Sequence, residues 1–128
     1  MGAYVKGANF ERELVRLFWE RGWAAIRTAG SGSTPHPVPD VLALCGGMLV
    51  CVECKSTSRH SISLKAAVLS LKRFVDVAGG QGYIAVRFPR AKPRFYEIED
   101  IISRNNYTIK LKDSFISLDS LTGKQKLL

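Results

Sequence analysis

Asp40, Glu53 and Lys55, two carboxylates and one ammonium, are the candidates for chemistry by type and spacing. Two β-like runs, Val41–Cys45 and Met48–Lys55, are joined by Gly46-Gly47, and a Gly-Gly pair between apolar runs signals a two-residue hairpin. If Cys45 and Met48 flank the turn, facing residues have numbers that total 93, which sets Asp40 opposite Glu53. Facing positions on one side of a sheet bring β-carbons to roughly 4.5–5.5 Å. Lys55 lies two residues beyond Glu53, and the period of two along a strand puts it on the same face.

Two carboxylates this close repel, and one tends to protonate unless a cation compensates. A hard divalent ion such as Mg²⁺, with Mn²⁺ as a substitute, suits oxygen ligands and retains waters. Beside it, Lys55 would orient or deprotonate the attacking water, and the ion would stabilise charge on a phosphate. The competing reading is a solvated ion cluster on a half-exposed sheet, which is common and energetically small. Against it, Glu53 interrupts the apolar run MLVCVECK, and Leu49 and Cys51 share its face. A strand that turns from apolar to charged midway fits a site at the mouth of a core.

The elements that must position these groups alternate between helical and extended patterns, which suggests an α/β domain. Phe10, Leu14, Leu17 and Phe18 form a stripe of helical period, with Asn9 as a candidate cap and Gly22 as a stop. Trp23–Thr28 reads as a strand, and Gly30–Pro39, rich in Gly, Ser and Pro, as an exposed, mobile loop. Leu64–Ala78 reads as a helix, with Ala67, Leu71, Phe74, Val75 and Ala78 on one side and Gly79-Gly80 closing it. Tyr83–Phe88 and Arg94–Ile98 read as strands around a basic turn, and a short helix and strand follow Glu99. The 128 residues suit a single domain, 1–128, with a core at about 6–112. The tail, 113–128, is left open: SFISLDSL could pack on the core, extend, or contact another protein.

Hydrophobic residues make up 46% and charged residues 23%, as in ordinary soluble globular domains. The apolar stretch Val41–Val52 is broken by two glycines and is too short to span a bilayer. No N-terminal apolar run ends in a small-residue cleavage site, so a signal peptide is not expected and a cytoplasmic, nucleoid-associated location is. The net charge is +8, with nineteen Lys and Arg against eleven Asp and Glu. That excess favours a polyanionic partner, nucleic acid before anionic lipid or acidic protein. Cys45, Cys51 and Cys54 are odd in number and lack a second pair or enough His for zinc. Within a strand, Cys51 and Cys54 point to opposite faces, so buried thiols in a reducing compartment are expected.

Pro39-Asp40 followed by Glu53-Cys54-Lys55 resembles the PD…(D/E)xK signature of the restriction-endonuclease-like nucleases. KGxxxERELV (Lys6–Val15), RTAGSGS (Arg27–Ser33), PDVLAL (Pro39–Leu44) and VECKST (Val52–Thr57) follow in the order seen in archaeal-type Holliday junction resolvases. The likeness covers roughly residues 6–90. It implies a central mixed β-sheet flanked by helices, and a homodimer that cuts four-way junction DNA with Mg²⁺. It also implies Asp40 and Glu53 as metal ligands, joined by the Cys54 backbone carbonyl, and Lys55 as the residue that positions water or stabilises charge. Glu11 matches an acidic residue that helps hold the metal or its water; a first-turn glutamate favoured by the helix dipole is the alternative. Ser31 matches a loop serine near the scissile phosphate, with Ser33 an adjacent DNA-contacting candidate. Lys6 and Arg27 match basic positions that meet phosphates.

The resemblance thus implies a structure-selective endonuclease leaving 5′-phosphate and 3′-hydroxyl ends in paired, symmetric nicks. The alternatives are a related nuclease acting on another DNA form and a basic DNA-binding module without catalysis. Arg87, Arg90, Lys92 and Arg94 in the basic turn should add phosphate contacts and make binding strongly salt-dependent. Phe88, Phe95 and Tyr96 are expected in the core. A C2 dimer would supply the two sites that paired nicks need, through apolar surface on Leu64–Ala78 and Tyr83–Phe88. Other recombination or replication proteins are further expected partners.

Overall fold

A computed structural model of the chain describes residues 2–28 and 34–126, with no account of the side chains of residues 2–7 and 124–126. The order is α1 (Gly2–Glu20), β1 (Ala24–Arg27), β2 (Val41–Cys45), β3 (Met48–Ser56), β4 (Ser61–Ser63), α2 (Lys65–Ala78), β5 (Gln81–Arg87), β6 (Arg94–Glu97), α3 (Ile98–Arg104), β7 (Thr108–Lys110) and α4 (Leu118–Lys126). Among the described residues no helix is long and apolar enough to cross a membrane.

The central sheet runs β1-β2-β3-β5-β6, and a two-stranded sheet pairs β4 with β7. The β3–β5 pair is parallel and the other pairs are antiparallel, so the mixed α/β sheet expected from the resemblance is present. The hairpin register is the expected one: Cys45 faces Met48 and Val41 faces Val52. Gly46 and Gly47 both have positive φ, 56° and 85°, the geometry of the tight turn that matches strand twist. At the end of α2, Gly80 also has φ of 84°, and a β-carbon there would lie 2.5 Å from the Leu49 carbonyl oxygen. That close approach lets α2 return directly into β5 beside β3.

One helical layer covers each face of the sheet. Phe10, Leu14 and Phe18 of α1 pack with Val41, Val50, Val52 and Ala85, and Leu118 and Leu121 of α4 close that core. On the other face Val68 and Leu71 of α2 and Ile101 of α3 pack with Cys51, Ile84 and Val86. Phe88, Phe95 and Tyr96 are buried, as expected.

Several expectations are corrected. Asn9 lies inside α1, which starts at Gly2, and its side-chain oxygen accepts from Arg12 at 3.4 Å. No proline interrupts residues 2–9, so nothing stops the helix from extending back. Ala78 is exposed and Val68 takes the buried place on α2. The tail packs on the core: Ile116 bridges to Phe95, and Leu118 and Leu121 are buried. Tyr83–Phe88 offers no outer apolar surface, because β5 lies between β3 and β6 and is buried on both faces. A near-continuous apolar run is what burial of a parallel strand under two helical layers demands.

Candidate active site

The site forms where the buried half of β3 gives way to charge. Val50, Cys51 and Val52 are buried, and Glu53, Cys54 and Lys55 are partly exposed. Asp40 immediately precedes β2 and extends the hairpin register toward Glu53. Its Oδ2 accepts the Cys54 backbone N–H at 2.9 Å, and its backbone N–H donates to the Glu53 carboxylate. Asp40 is fixed from behind as well: its carbonyl accepts the Thr28 N–H at 3.0 Å, and the Thr28 hydroxyl donates to the Pro39 carbonyl.

Alternation sends Cys54 toward the α1 core and Cys51 toward the α2 core, while Glu53 and Lys55 share the face of Asp40. Burial pushes the Cys51 thiol up to about 11. Burial, and then the charges of Asp40, Glu11 and Glu53, raise that of Cys54 well above the ordinary thiol range. Neither thiol is poised for redox chemistry, and all three cysteines are free.

The carboxylates carry the electrostatic signature. Burial and then the charge of Asp40 push Glu53 up to about 7. Asp40 is also raised, by burial first, against the Cys54 N–H and the cations Lys55 and Arg27. Glu11, on α1, is raised by burial and by Asp40, opposed by Arg27. Glu11 thus borders the Asp40–Glu53 pair, and Arg27 is already tied to it at 2.8 Å. Lys55 is left as the cation facing Asp40 and Glu53.

This donor set fits a hard divalent cation. Both carboxylates are oxygen donors held together against repulsion, and that is the deficit such an ion removes. Among the described residues no three His, Cys, Asp or Glu side chains come together closely enough to hold a metal ion. Two carboxylates with backbone oxygen and water are a normal ligand set for Mg²⁺, which retains several waters.

Ser31 and Ser33 lie outside the described residues, as does the side chain of Lys6, which sits in the first turns of α1. The basic residues divide into two sets. Arg87 pairs with Glu13 at 2.5 Å and stacks 4.8 Å over the Phe10 ring. Arg94 donates to the Leu111 carbonyl at 2.7 Å and lies between Phe88 and Phe115. Both therefore brace the fold, as Arg27 does through Glu11. Arg90 and Lys92 are exposed in the turn between β5 and β6, and Arg90 holds a positive φ of 58°. Glu13 escaped the sequence reading. Its signal was the second acid of ERE, bordering the apolar stripe at Phe10 and Leu14.

The chain matches the family model described as archaeal Holliday junction resolvase over residues 2–127. It is 36% identical over 114 residues to a crossover junction endodeoxyribonuclease, Hjc, of Archaeoglobus fulgidus, covering 88% of this chain and 83% of that one. It is 37% identical over 99 residues to a crossover junction endodeoxyribonuclease, Hje, of Sulfolobus acidocaldarius, covering 74% of this chain and 71% of the relative. The solved structure of Archaeoglobus fulgidus Hjc, a Holliday junction resolvase, superposes with a TM-score of 0.81 at 32% identity, over 91% of this chain and 98% of that one.

Proposed function

Because the chain belongs to the archaeal Holliday junction resolvase family, we propose that its Asp40–Glu53–Lys55 corner hydrolyses one phosphodiester per protomer of a four-way DNA junction. The chain is a structure-selective endodeoxyribonuclease that resolves such junctions. The observation that carries the site assignment is the meeting of Asp40 and Glu53 across the hairpin, half-buried and raised in pKa beside Lys55.

Asp40 and Glu53 would hold Mg²⁺, with Mn²⁺ able to replace it, and the Cys54 carbonyl would complete the protein ligands. When bound, the ion supplies Lewis-acid stabilisation of charge on the scissile phosphate. Lys55, two residues along the strand from Glu53, orients the attacking water by hydrogen bonding and offsets negative charge on the phosphate. Glu11, held by Arg27, adds an acceptor at the edge of the site. Ser31 would meet the scissile phosphate, and Lys6, Ser33, Arg90 and Lys92 would meet backbone phosphates.

The functional unit in this reading is a C2 homodimer, since one chain carries one such site and resolution needs two nicks. The outer side of α2 supports it, because Leu69 is 41% and Val77 91% exposed. The reading also places the enzyme in the cytoplasm with the nucleoid. Equal amounts of four-way, forked and linear duplex DNA with Mg²⁺ test it. Paired nicks in the junction with 5′-phosphate ends are expected, and equal cutting of linear duplex would overturn the selectivity. Sedimentation without DNA at micromolar concentration should give about twice 14.2 kDa, and a strict monomer would remove the paired-nick mechanism.

A further inference from the structure

The cations of this chain are unevenly spent. Arg27, Arg87 and Arg94 are engaged within the fold. Arg59, Lys110 and Lys112 are exposed and form no ion pair with a described residue. Lys110 lies on the β4–β7 sheet, where Ser61 faces Lys110 and Ser63 faces Thr108, and Arg59 and Lys112 follow just beyond the end of those strands. Ile62 and Ile109 turn inward to the core, so the opposite face carries Ser61, Ser63, Thr108 and Lys110 and no apolar side chain. The Ser63 and Thr108 hydroxyls lie 3.3 Å apart. The Leu111 N–H donates to the His60 carbonyl at 2.8 Å, which holds Arg59 and Lys112 at the same end of this sheet.

A polar strip joins that face to the active site. From Lys55 the chain continues Ser56-Thr57-Ser58-Arg59-His60-Ser61, with neither an apolar nor an acidic side chain among the six. Lys55 and Arg59 are four residues apart, at most ~14 Å of chain, or about four base-pair rises of duplex. The stretches 54–75 and 101–112 contain no carboxylate. Asp113, beyond them, accepts the Lys110 backbone N–H at 2.8 Å and pairs with Arg104 at 3.3 Å. Hydroxyls, amides and cations without acids are the chemistry that tracks a phosphate backbone.

We propose that the outward face of β4–β7, reached along residues 56–61, binds the sugar-phosphate backbone of the duplex arm leaving the cleavage site. The inference rests on the junction-resolving reading and adds a second contact surface, built on elements other than the turn between β5 and β6. It is a positioning surface: it holds the arm, and Lys55 and the two carboxylates do the chemistry.

The test is salt-dependent binding to a four-way junction by wild type, by Arg59→Gln/Lys110→Gln/Lys112→Gln, and by Lys110→Arg/Lys112→Arg. The Gln triple variant should lose about tenfold or more in affinity, and its log–log salt slope should flatten by about three. Its single-turnover nicking at saturating enzyme should stay within about twofold of wild type. The Arg variant keeps the charge and should keep both affinity and slope. Wild-type affinity and slope in the Gln variant would overturn the inference, as would an equal loss in the Arg variant. If wild type itself neither binds nor nicks the junction, the reading beneath fails instead.

Discussion

On the α1 side of the sheet, Arg27 meets Glu11 at 2.8 Å and Arg87 meets Glu13 at 2.5 Å. On the other side of the same sheet end, Asp40 and Glu53 meet each other, with the charge of Lys55 acting on both. The first region is a seam of opposite charges in which each carboxylate has its own arginine. The second holds like charges together, and burial raises both pKa values against the opposing pull of Lys55 and the backbone N–H groups of Cys54 and Asp40. Paired charges fix α1 to the sheet, and such pairs add little net stability but cost more when one partner is removed. Carboxylates held together with raised pKa values are the pattern found where such values are perturbed for function. The difference separates the pairs that anchor α1 from the carboxylates left facing each other, with Glu11 on the border of the two.

The sharpest way to break this comparison is to remove a carboxylate from the second region. Asp40→Ala or Glu53→Ala should lower junction cleavage by ~10³-fold or more, since in the proposed reading several kcal/mol of transition-state stabilisation goes with the ion these carboxylates would hold. Junction binding should persist or tighten, because a negative charge beside a phosphate is gone. Lys55→Ala should cost on the order of 10²-fold, and Lys55→Arg should restore little, as a planar guanidinium does not replace a compact ammonium. Undiminished cleavage by Asp40→Ala in a nicking assay would remove the site assignment.

A smaller effect concerns pH in the absence of divalent cations. The folded chain holds the Glu53 proton up to about 7, above the ordinary carboxylate value near 4.3 in the unfolded chain. Native protein therefore binds more protons than unfolded protein between these values. The contribution of Glu53 is fully present below the unfolded pKa and is lost as pH rises through about 7. Asp40 and Glu11 act in the same direction. Relative to Glu53→Gln, wild type should lose on the order of 2 kcal/mol from about pH 4.5 to pH 7, a shift of ~5–10 °C in melting temperature. Adding Mg²⁺ should restore more stability at pH 7.5 than at pH 5, because the ion and the protons compete. Parallel pH profiles for wild type and Glu53→Gln would show that the corner carries no such burden.

How much of this was legible depended on what pinned each element. The hairpin was legible because Gly46-Gly47 admits one tight turn, and one turn fixes every facing pair, Asp40 and Glu53 included. The stripe on α1 and the body of α2 were legible because burial on one side imposes a period of 3.6. β4 was not legible: three residues, Ser61–Ser63, with one apolar side chain carry no pattern, and only pairing with β7 makes them a strand. α4 was missed for a like reason, since among its described residues the buried apolar side chains are only Leu118 and Leu121. The apolar run of β5 was legible as a strand but misplaced on the outside, because a sequence shows how apolar a strand is and not which layers cover it. Among the site residues, Asp40, Glu53 and Lys55 followed from local geometry. The arginine seam did not, because Arg27–Glu11 and Arg87–Glu13 join residues 16 and 74 positions apart.

The smallest expected effect sharpens the comparison from the paired side. Glu13→Gln removes the charge facing Arg87 and leaves an acceptor of nearly the same shape. The pair is about one-third exposed on each side, so its loss should cost only about 0.5–1 kcal/mol, or a few degrees in melting temperature. The Phe10 ring, 4.8 Å from the guanidinium, should keep Arg87 in place by cation–π attraction of similar size. The rate of nicking at saturating enzyme should then change by less than about threefold, far from the ~10³-fold expected at Asp40. A thermal melt and a single-turnover assay on the same preparation read both quantities. Were Glu13→Gln to abolish nicking while leaving the melt unchanged, the arginine seam would belong to the chemistry, and the division between the two regions would not stand.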